Sequence, residues 1–277
     1  ATLRDSLTAR LDRLGNAKAV AQLASVLGRE FDHGLLQAVC EFPEAELETQ
    51  LAALVHANII QQFGVAPRSR YVFKHALIQE AAYDGLLRSA RQAYHQRIAQ
   101  AYVAHFPDLI HSRPELPAHH FSRAAMPETA VLYWQRAGEL AVAREGHEEA
   151  IAHLEAALVQ IALMPDGPAR AAQELTLRVT VGPALFSRRG MASDETGANY
   201  ARACELALSQ GETSESFMAM FGDWMYKNTK GLLVEARKRS EDLVVVGRKL
   251  NDDGFVLQGH HSRWTNLFML GDAGFTI

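Results

Sequence analysis

Glycine recurs at a nearly constant spacing through the second half of the chain, and this restricts the fold more than any other feature. The residues are Gly146, Gly190, Gly231 and Gly271, which lie roughly 40 residues apart. Amphipathic stretches lie on both sides of the first three and before the fourth. A fixed period of about 20 to 50 residues is typical of stacked helical units, so residues 128–277 are predicted to form a helical repeat.

Each repeat is predicted as a helix, a tight turn and a second helix. The predicted helices cover 129–145, 148–163, 168–187, 194–209, 213–228, 232–250 and 252–270. Gly182 and Pro183 are expected to kink or break the third of these, because proline removes a backbone donor and clashes with the preceding turn.

The first unit has the clearest spacing of small and large residues. Gly138 and Ala150 are small enough to let two helices approach closely, while Trp134 and Leu154 fill the space beside them. This spacing resembles that of tetratricopeptide repeats. The phase stays open by one helix, because Ala130 and Trp134 also fit the second helix of an earlier repeat.

The first 74 residues have a different pattern, of short helices followed by a β-hairpin. Four helices are predicted, starting near Leu3, Val20, Phe31 and Pro43. The segments 59–63 and 70–73 flank a turn region rich in glycine, proline and serine, as a hairpin does. This is the arrangement of a winged helix. The predicted fold class is therefore all-α with one small β-hairpin: a winged-helix-like domain over 1–74 and tetratricopeptide-like repeats over 128–277.

Residues 75–127 are predicted to connect these two parts. They contain two predicted helices broken near Ser89, then a proline-rich stretch over 107–127 with one short helix around His119 and Phe121. We therefore divide the chain at 74 and 127.

Candidate catalytic and metal-binding residues are few. No glycine-rich phosphate-binding loop and no nucleophile motif occur, so no catalytic residue is assigned and this segment is not predicted to be an enzyme. Cys40 and Cys204 do not have the sequence spacing of metal ligands. The paired histidines at 119–120 and 260–261 are interpreted as packing or partly exposed side chains. No metal is therefore predicted. Reduced cysteines indicate a cytoplasmic location.

Nucleic acid and membrane are not expected as partners. The net charge is −4, and no apolar run is long enough to cross a bilayer. A winged helix that reads DNA needs basic residues on its recognition helix, yet the helix over 43–57 carries Glu44, Glu46 and Glu48 and no Lys or Arg. Arg68 and Arg70 on the hairpin are the only favourable charges nearby.

The segment YVFKHALIQEAAYDGLL, residues 71–87, resembles the winged-helix end of STAND-type signalling ATPases. The similarity is greatest to bacterial proteins that carry class III adenylate cyclase domains ahead of an ATPase and a helical-repeat tail. The resemblance also includes two further stretches, LRDSLTARLDRLG and HHFSRAAMPETAVLYWQRAGELA. The resemblance implies an upstream ATPase module that uses ATP or ADP with magnesium, whereas this segment itself needs no cofactor. It also implies that His75 senses the nucleotide phosphate, although Ala76 replaces an aspartate of the related motif.

These features predict a regulatory and sensor segment that binds a protein or small effector in the repeat groove and controls the ATPase. The alternatives are that the segment completes a catalytic site of an adenylate cyclase or ATPase, or belongs to a DNA-binding regulator of the maltose-regulator type. The chain begins at Ala1 and the repeat pattern stops after Gly271, so a segment of a longer protein is expected. Leu257, Trp264 and Phe268 form one apolar stripe near that end. This end is predicted to fray or to self-associate.

Overall fold

The computed structural model describes residues 3–65 and 68–272, which are mostly helical with one small antiparallel sheet. The chain divides into two compact units, residues 1–130 and residues 131–277. The division falls inside one helix, α9 (Pro127–Ala143).

The first unit contains eight described helices ahead of α9, and three strands. The helices are α1 (Leu3–Asp12), α2 (Asn16–Leu27), α3 (His33–Val39), α4 (Glu44–His56), α5 (Ala76–Asp84), α6 (Arg88–His105), α7 (Pro107–Ser112) and α8 (Glu115–Arg123). The strands are β1 (Glu30–Asp32), β2 (Ile60–Phe63) and β3 (Arg70–Phe73).

The sheet has the order β1-β3-β2, and both pairings are antiparallel. The predicted hairpin is present as β2 and β3, but the sequence interpretation missed β1 and placed Phe31 in a helix. Phe31 pairs with Tyr71 in β3, and their rings stack with centroids 5.6 Å apart. A three-residue strand has too short a pattern to be recognised locally, because it forms through its pairing with β3.

The core of the first unit consists of large aliphatic and aromatic side chains from the helices and the sheet. Those that are almost fully buried are Leu11, Leu36, Leu47, Leu51, Leu54, Ile59, Ile60, Phe73, Ile78 and Ile98. Residues 75–127, predicted as a connector, lie inside this unit: α5 packs against α2, and α6 packs against α8. The stretch 107–127 contains two short helices, α7 and α8, where one was predicted, and α5 ends at Asp84, a few residues before the predicted break.

The second unit is a repeat-like array of helices. They are α10 (His147–Ile161), α11 (Pro168–Arg189), α12 (Asp194–Gln210), α13 (Ser214–Lys230), α14 (Leu233–Lys249) and α15 (Asp253–Met269), which follow α9. Each helix lies close to its predicted bounds. Successive helices pack together, and α11 also contacts α13, as α13 contacts α15.

Neighbouring helices of the array run antiparallel and are joined by ion pairs at their ends. Glu148 in the first turn of α10 accepts hydrogen bonds from Arg188 and Arg189 at the end of α11, at 2.9 and 2.8 Å. Asp194 in the first turn of α12 accepts one from Lys230 at the end of α13, at 2.9 Å. Each pair places a negative charge at a helix start and a positive charge at a helix end, where the helix dipoles favour them.

The turn glycines of the array are not equivalent. Gly190, Gly231 and Gly271 have φ of 94, 82 and 71°, the left-handed region that glycine adopts without a steric cost. Gly146 does not adopt this conformation. The preceding residue, Glu145, has the left-handed backbone instead, with φ 59°. Gly146 instead caps the start of α10.

Helix α11 continues through Pro183, so the expected break is absent. A proline inside a helix costs about 3 kcal/mol. Val181, Ala184 and Leu185 beside it are buried in one core cluster with residues of α10, while the proline itself faces solvent. Burial on both sides of Pro183 therefore holds the helix together. Although α11 is the longest helix at 22 residues, no helix in the described parts of the chain is long and apolar enough to cross a membrane.

Several helices of the array approach each other at glycines. A Cβ built on Gly138 would lie 2.4 Å from the side chain of Leu154, so Leu154 fills the place that the small residue leaves, as predicted. Tyr200 of α12 lies against both Gly182 of α11 and Gly222 of α13, where an added Cβ would come within 1.9 Å of its ring or hydroxyl. The ring of Tyr200 therefore lies where α11, α12 and α13 meet.

Candidate partner-binding cleft in the repeat unit

A cleft of about 330 Å³ opens between α12 and α14, with α13 as its floor. It is called the α12–α14 cleft below. Its lining residues are Cys204, Ala207, Leu208, Gly211, Glu212, Ser216, Met220, Arg239, Asp242, Val245 and Val246.

The α12–α14 cleft has an apolar rim. Leu208 on α12 is 88% exposed and Val245 on α14 is 51% exposed, although both are large aliphatic side chains. Met220 of α13 and Val246 of α14 lie deeper and are half-buried. Each helix buries one face in the array, so Leu208 and Val245 lie off those faces and leave apolar surface for a partner.

The charged groups beside the cleft are already paired with one another. Asp223, which is 3% exposed, accepts hydrogen bonds from Lys227 at 2.9 Å and from Arg239 at 2.8 Å. Glu212 accepts one from Lys249 at 2.5 Å. The cleft therefore presents little uncompensated charge, and a neutral apolar group fits it better than an ion.

Cys204 lies in the wall of the cleft but is not suited to covalent chemistry. Burial raises the pKa of its thiol to about 11, so the thiol stays protonated at neutral pH. The thiolate is the nucleophile and the metal ligand, and a protonated thiol does neither task well. Cys204 therefore acts as a small apolar surface.

His75, the residue that the resemblance assigns to nucleotide sensing, lies at the exposed N-terminus of α5. Its side chain makes no capping hydrogen bond, although its carbonyl accepts one from the backbone N–H of Ile78 at 3.0 Å. The neighbouring Lys74 donates to Asn58. His75 thus presents its imidazole to solvent and has no described partner that would fix its orientation.

The paired histidines have different environments. His260 and His261 are exposed on α15. His120 on α8 is buried, with its Nδ1 2.9 Å from Nδ1 of His95 on α6. The sequence interpretation missed His95, because nothing in the spacing of two histidines 25 residues apart shows that α6 packs on α8. Among the side chains that the structure describes, no cluster of His, Cys, Asp and Glu is placed to hold a metal ion.

No family model matches the chain. An uncharacterized protein of Rhizobium meliloti is 29% identical over 268 residues, which are 96% of this chain but 26% of that protein. The chain thus spans about a quarter of the length of this curated relative.

Among solved structures, the crystal structure of BtubC (BKLC) from P. vanneervenii aligns with 98% of this chain and 94% of its own. Its sequence identity is 10% and its TM-score is 0.32. A likeness at this level carries no argument about the fold or the function.

Proposed function

We propose that the repeat unit binds a segment of a partner protein in the α12–α14 cleft, and that the chain is the regulatory part of a larger signalling ATPase. The observation that carries the binding role is the apolar rim of Leu208 and Val245 over a concave, charge-neutral surface. Helical repeats of this kind use such surfaces to bind other molecules, since each repeat adds surface without enclosing a catalytic chamber.

A protein segment fits the cleft better than a small effector. Small-molecule sites range from about 300 to 1,000 Å³ and enclose most of their ligand. The α12–α14 cleft lies at the lower end of this range and is open, because Leu208 projects into solvent. One large apolar side chain of a peptide or helix fills such a volume, while its backbone stays outside.

The proposal includes a winged-helix-like domain over residues 1–74, and the elements from α2 to β3 support it. Its elements follow the order helix, strand, helix, helix, strand, strand, and β1 pairs with the outer side of the hairpin formed by β2 and β3. Arg70 on the hairpin is bound to Glu30 at 2.6 Å, and α4 begins with Glu44 and Glu46. This distribution of charge favours contact with a protein module over contact with DNA.

The ATPase assignment rests on the resemblance of residues 71–87 to STAND-type proteins. ATP or ADP and magnesium would then bind to the upstream module. The exposed imidazole of His75 is available to face that module. The length of the Rhizobium meliloti relative is compatible with further modules in the same polypeptide.

The cleft can be tested with a displayed library of random peptides selected on the purified chain. Selected peptides are expected to share one large apolar residue. Val245→Asp should weaken their binding at least tenfold, whereas Val234→Asp should not, because Val234 is also exposed on α14 but does not line the cleft. Equal binding to both variants would place the peptide site elsewhere.

The regulatory role can be tested by nucleotide turnover. The isolated chain is expected neither to hydrolyse ATP nor to make cyclic AMP, while the intact protein that contains it hydrolyses ATP at a rate that a cleft-binding peptide changes. Turnover by the isolated chain that persists through repurification would favour an enzymatic role. If the peptide binds but the rate of ATP hydrolysis by the intact protein does not change, the cleft binds a partner without regulating the ATPase.

A further inference from the structure

The first unit contains a cavity of about 260 Å³ that the proposed function does not use. It lies where the end of α2 meets α5, α6 and α8, and it is called the histidine cavity below. Its lining residues are Ser25, Val26, Leu27, Gly28, Gln79, Tyr83, His95, His119, His120 and Arg123. His75 is not among them.

Three side chains of the cavity form a continuous hydrogen-bonded chain. The hydroxyl of Tyr83 is 3.0 Å from Nε2 of His95, and Nδ1 of His95 is 2.9 Å from Nδ1 of His120. Each of these contacts holds one proton. If both rings are neutral, the two hydrogen bonds share one direction of donation. If Tyr83 donates to His95, then His95 donates to His120, and the proton of His120 is on Nε2. That N–H is then a donor for a ligand.

The protein environment keeps both buried rings neutral. Burial and the positive surroundings of His119, Arg123 and Arg91 lower the pKa of His95 to about 4. Burial and the two neighbouring histidines lower the pKa of His120 to about 3. Burial of the ring and the charge of Arg123 also lower the pKa of His119, although this residue is exposed at the mouth.

The charges around the cavity are of one sign. Arg123 lies at the mouth, one helical turn from His119, and Arg91 stacks over the ring of Tyr83 with its guanidinium carbon 4.4 Å from the ring centre. No aspartate or glutamate is among the described residues that line the cavity. Neither arginine has a carboxylate partner in the part of the chain that the structure describes. An anion would therefore find two uncompensated positive charges.

We propose that the histidine cavity is a binding site for a small oxyanion, such as inorganic phosphate or a phosphate monoester. The guanidinium of Arg123 and the ring N–H groups of His119 and His120 are the donors for its oxygens, since charge-assisted hydrogen bonds to an oxyanion are among the strongest that side chains make. Arg91 contributes its charge from behind the ring of Tyr83. A volume of about 260 Å³ has room for a small oxyanion.

The proposal also predicts a coupling to pH. An anion beside an imidazole favours the protonated ring, so binding raises the pKa of the histidines that face it and takes up protons. The groups that face the cavity are Tyr83 from α5, His95 with Arg91 behind it from α6, and His119, His120 and Arg123 from α8, while α2 contributes no titratable side chain. Affinity should therefore rise as the pH falls.

The experiment uses the whole chain labelled at the histidine ring nitrogens and followed by NMR. Inorganic phosphate and glycerol phosphate are the two probes at pH 7. The one that binds more tightly shows whether the site is for free phosphate or for a phosphate monoester. Saturable shifts of the His95, His119 and His120 signals are expected with either probe. Sulfate serves for the pH series, because it does not titrate in this range, and its affinity should rise up to about tenfold per pH unit between pH 7 and 6 if one proton is taken up.

Two arginine variants decide whether the site is specific. Arg123→Gln should weaken phosphate binding at least tenfold, while Arg88→Gln, which removes an exposed arginine of α6 that does not line the cavity, should change it less than twofold. Equal losses in both variants would show general charge attraction and overturn the proposal. Shifts that do not saturate, or that are confined to the exposed His75, His260 and His261, would overturn it as well.

Discussion

The two units of this chain bring their helices together by opposite means. In the first unit, large side chains fill the space between elements, and most of the largest fully buried residues among those described lie there. In the second unit the helices meet at glycines. Every described glycine whose added Cβ would come closer than 3.0 Å to another atom belongs to the second unit.

This difference determines which changes each unit tolerates. A core filled by leucine and phenylalanine is weakened when volume is removed, because a cavity remains. An array that is joined at glycines is weakened when volume is added, because the neighbouring helix cannot move away without losing its other contacts. At Gly259 the obstacle is backbone and not a side chain, since an added Cβ would lie 2.8 Å from the backbone nitrogen of Val244.

The largest expected effect follows from adding one methyl group to the second unit. Gly222→Ala would place a Cβ 1.9 Å from the ring of Tyr200, and Tyr200 cannot retreat because Gly182 lies against its other side. We expect a loss of about 3 kcal/mol in the free energy of unfolding, at the upper end for overpacked cores. Denaturant unfolding followed by tryptophan fluorescence measures it.

The matched control for this variant is Gly34→Ala in the first unit. Gly34 is helical and exposed, and an added Cβ would meet no atom within 4 Å. The substitution should be neutral or stabilise by up to about 1 kcal/mol, through helix propensity alone. Similar losses for both glycines would contradict the distinction between the two units.

Acid should weaken the first unit before the second. The pKa of His120 is lowered from 6.5 to about 3, mainly by burial, so the unfolded chain binds a proton below pH 6.5 that the folded chain does not. The stability of this unit is therefore complete above pH 6.5 and falls as the pH drops below it. By pH 5 the loss from His120 alone is on the order of 2 kcal/mol, from about 1.4 kcal/mol per pH unit.

The second unit should respond only at lower pH. Burial raises the pKa of Glu174, but hydrogen bonds from Arg202 and Arg178 outweigh it and lower the pKa below 4.5. The stability that this carboxylate contributes is present above pH 4.5 and is lost below it. Amide exchange at pH 7 and pH 5 should show faster opening of α6 and α8 and little change in α11 and α12. His120→Phe should reduce the pH dependence of amide exchange in the first unit. If exchange at pH 5 became faster by the same factor in both units, the prediction that acid weakens the first unit first would be wrong.

A smaller effect is expected from the apolar stripe on α15. Leu257, Trp264 and Phe268 are 71, 56 and 75% exposed, while Leu267 on the same helix is buried. If the chain self-associates through this stripe, Trp264→Glu should weaken the association about tenfold, or about 1.4 kcal/mol. Sedimentation across a concentration series measures it. Leu163→Glu, at an exposed leucine after α10, should leave association unchanged.

The smallest effect on stability is expected at His75. The side chain is exposed and makes no capping hydrogen bond, so His75→Ala should change the free energy of unfolding by less than about 0.5 kcal/mol. A sensor role then predicts higher basal ATP turnover by the intact protein that carries this variant. A marked loss of stability would instead indicate a structural role.

The helices of the second unit were predictable because their signals are local. Glycine spacing and amphipathic stretches predict each helix of the array. Of the kink or break expected at Pro183, the break is absent, since burial of the neighbouring Val181 and Ala184 outweighs the preference of the proline. The short strand at Phe31 was not predictable, because it exists only through its pairing with Tyr71.

The candidate sites were less predictable than the fold. A cleft depends on which side chains the packing leaves exposed, and Leu208 looks in sequence like any other leucine of an amphipathic helix. The histidine cavity depends on four elements that meet in space, so His95 and His120 gave no joint signal. The role of His75 stays a prediction that rests on resemblance alone.

The position of Tyr200 between Gly182 and Gly222 has a consequence for how this sequence diverges. A larger residue at either glycine is harmful while the tyrosine remains, and a smaller residue in place of the tyrosine leaves a gap between three helices. The three positions are therefore expected to change together during evolution or not at all. In a set of homologous sequences they should covary, and a lineage that has lost one of them should have replaced the other two.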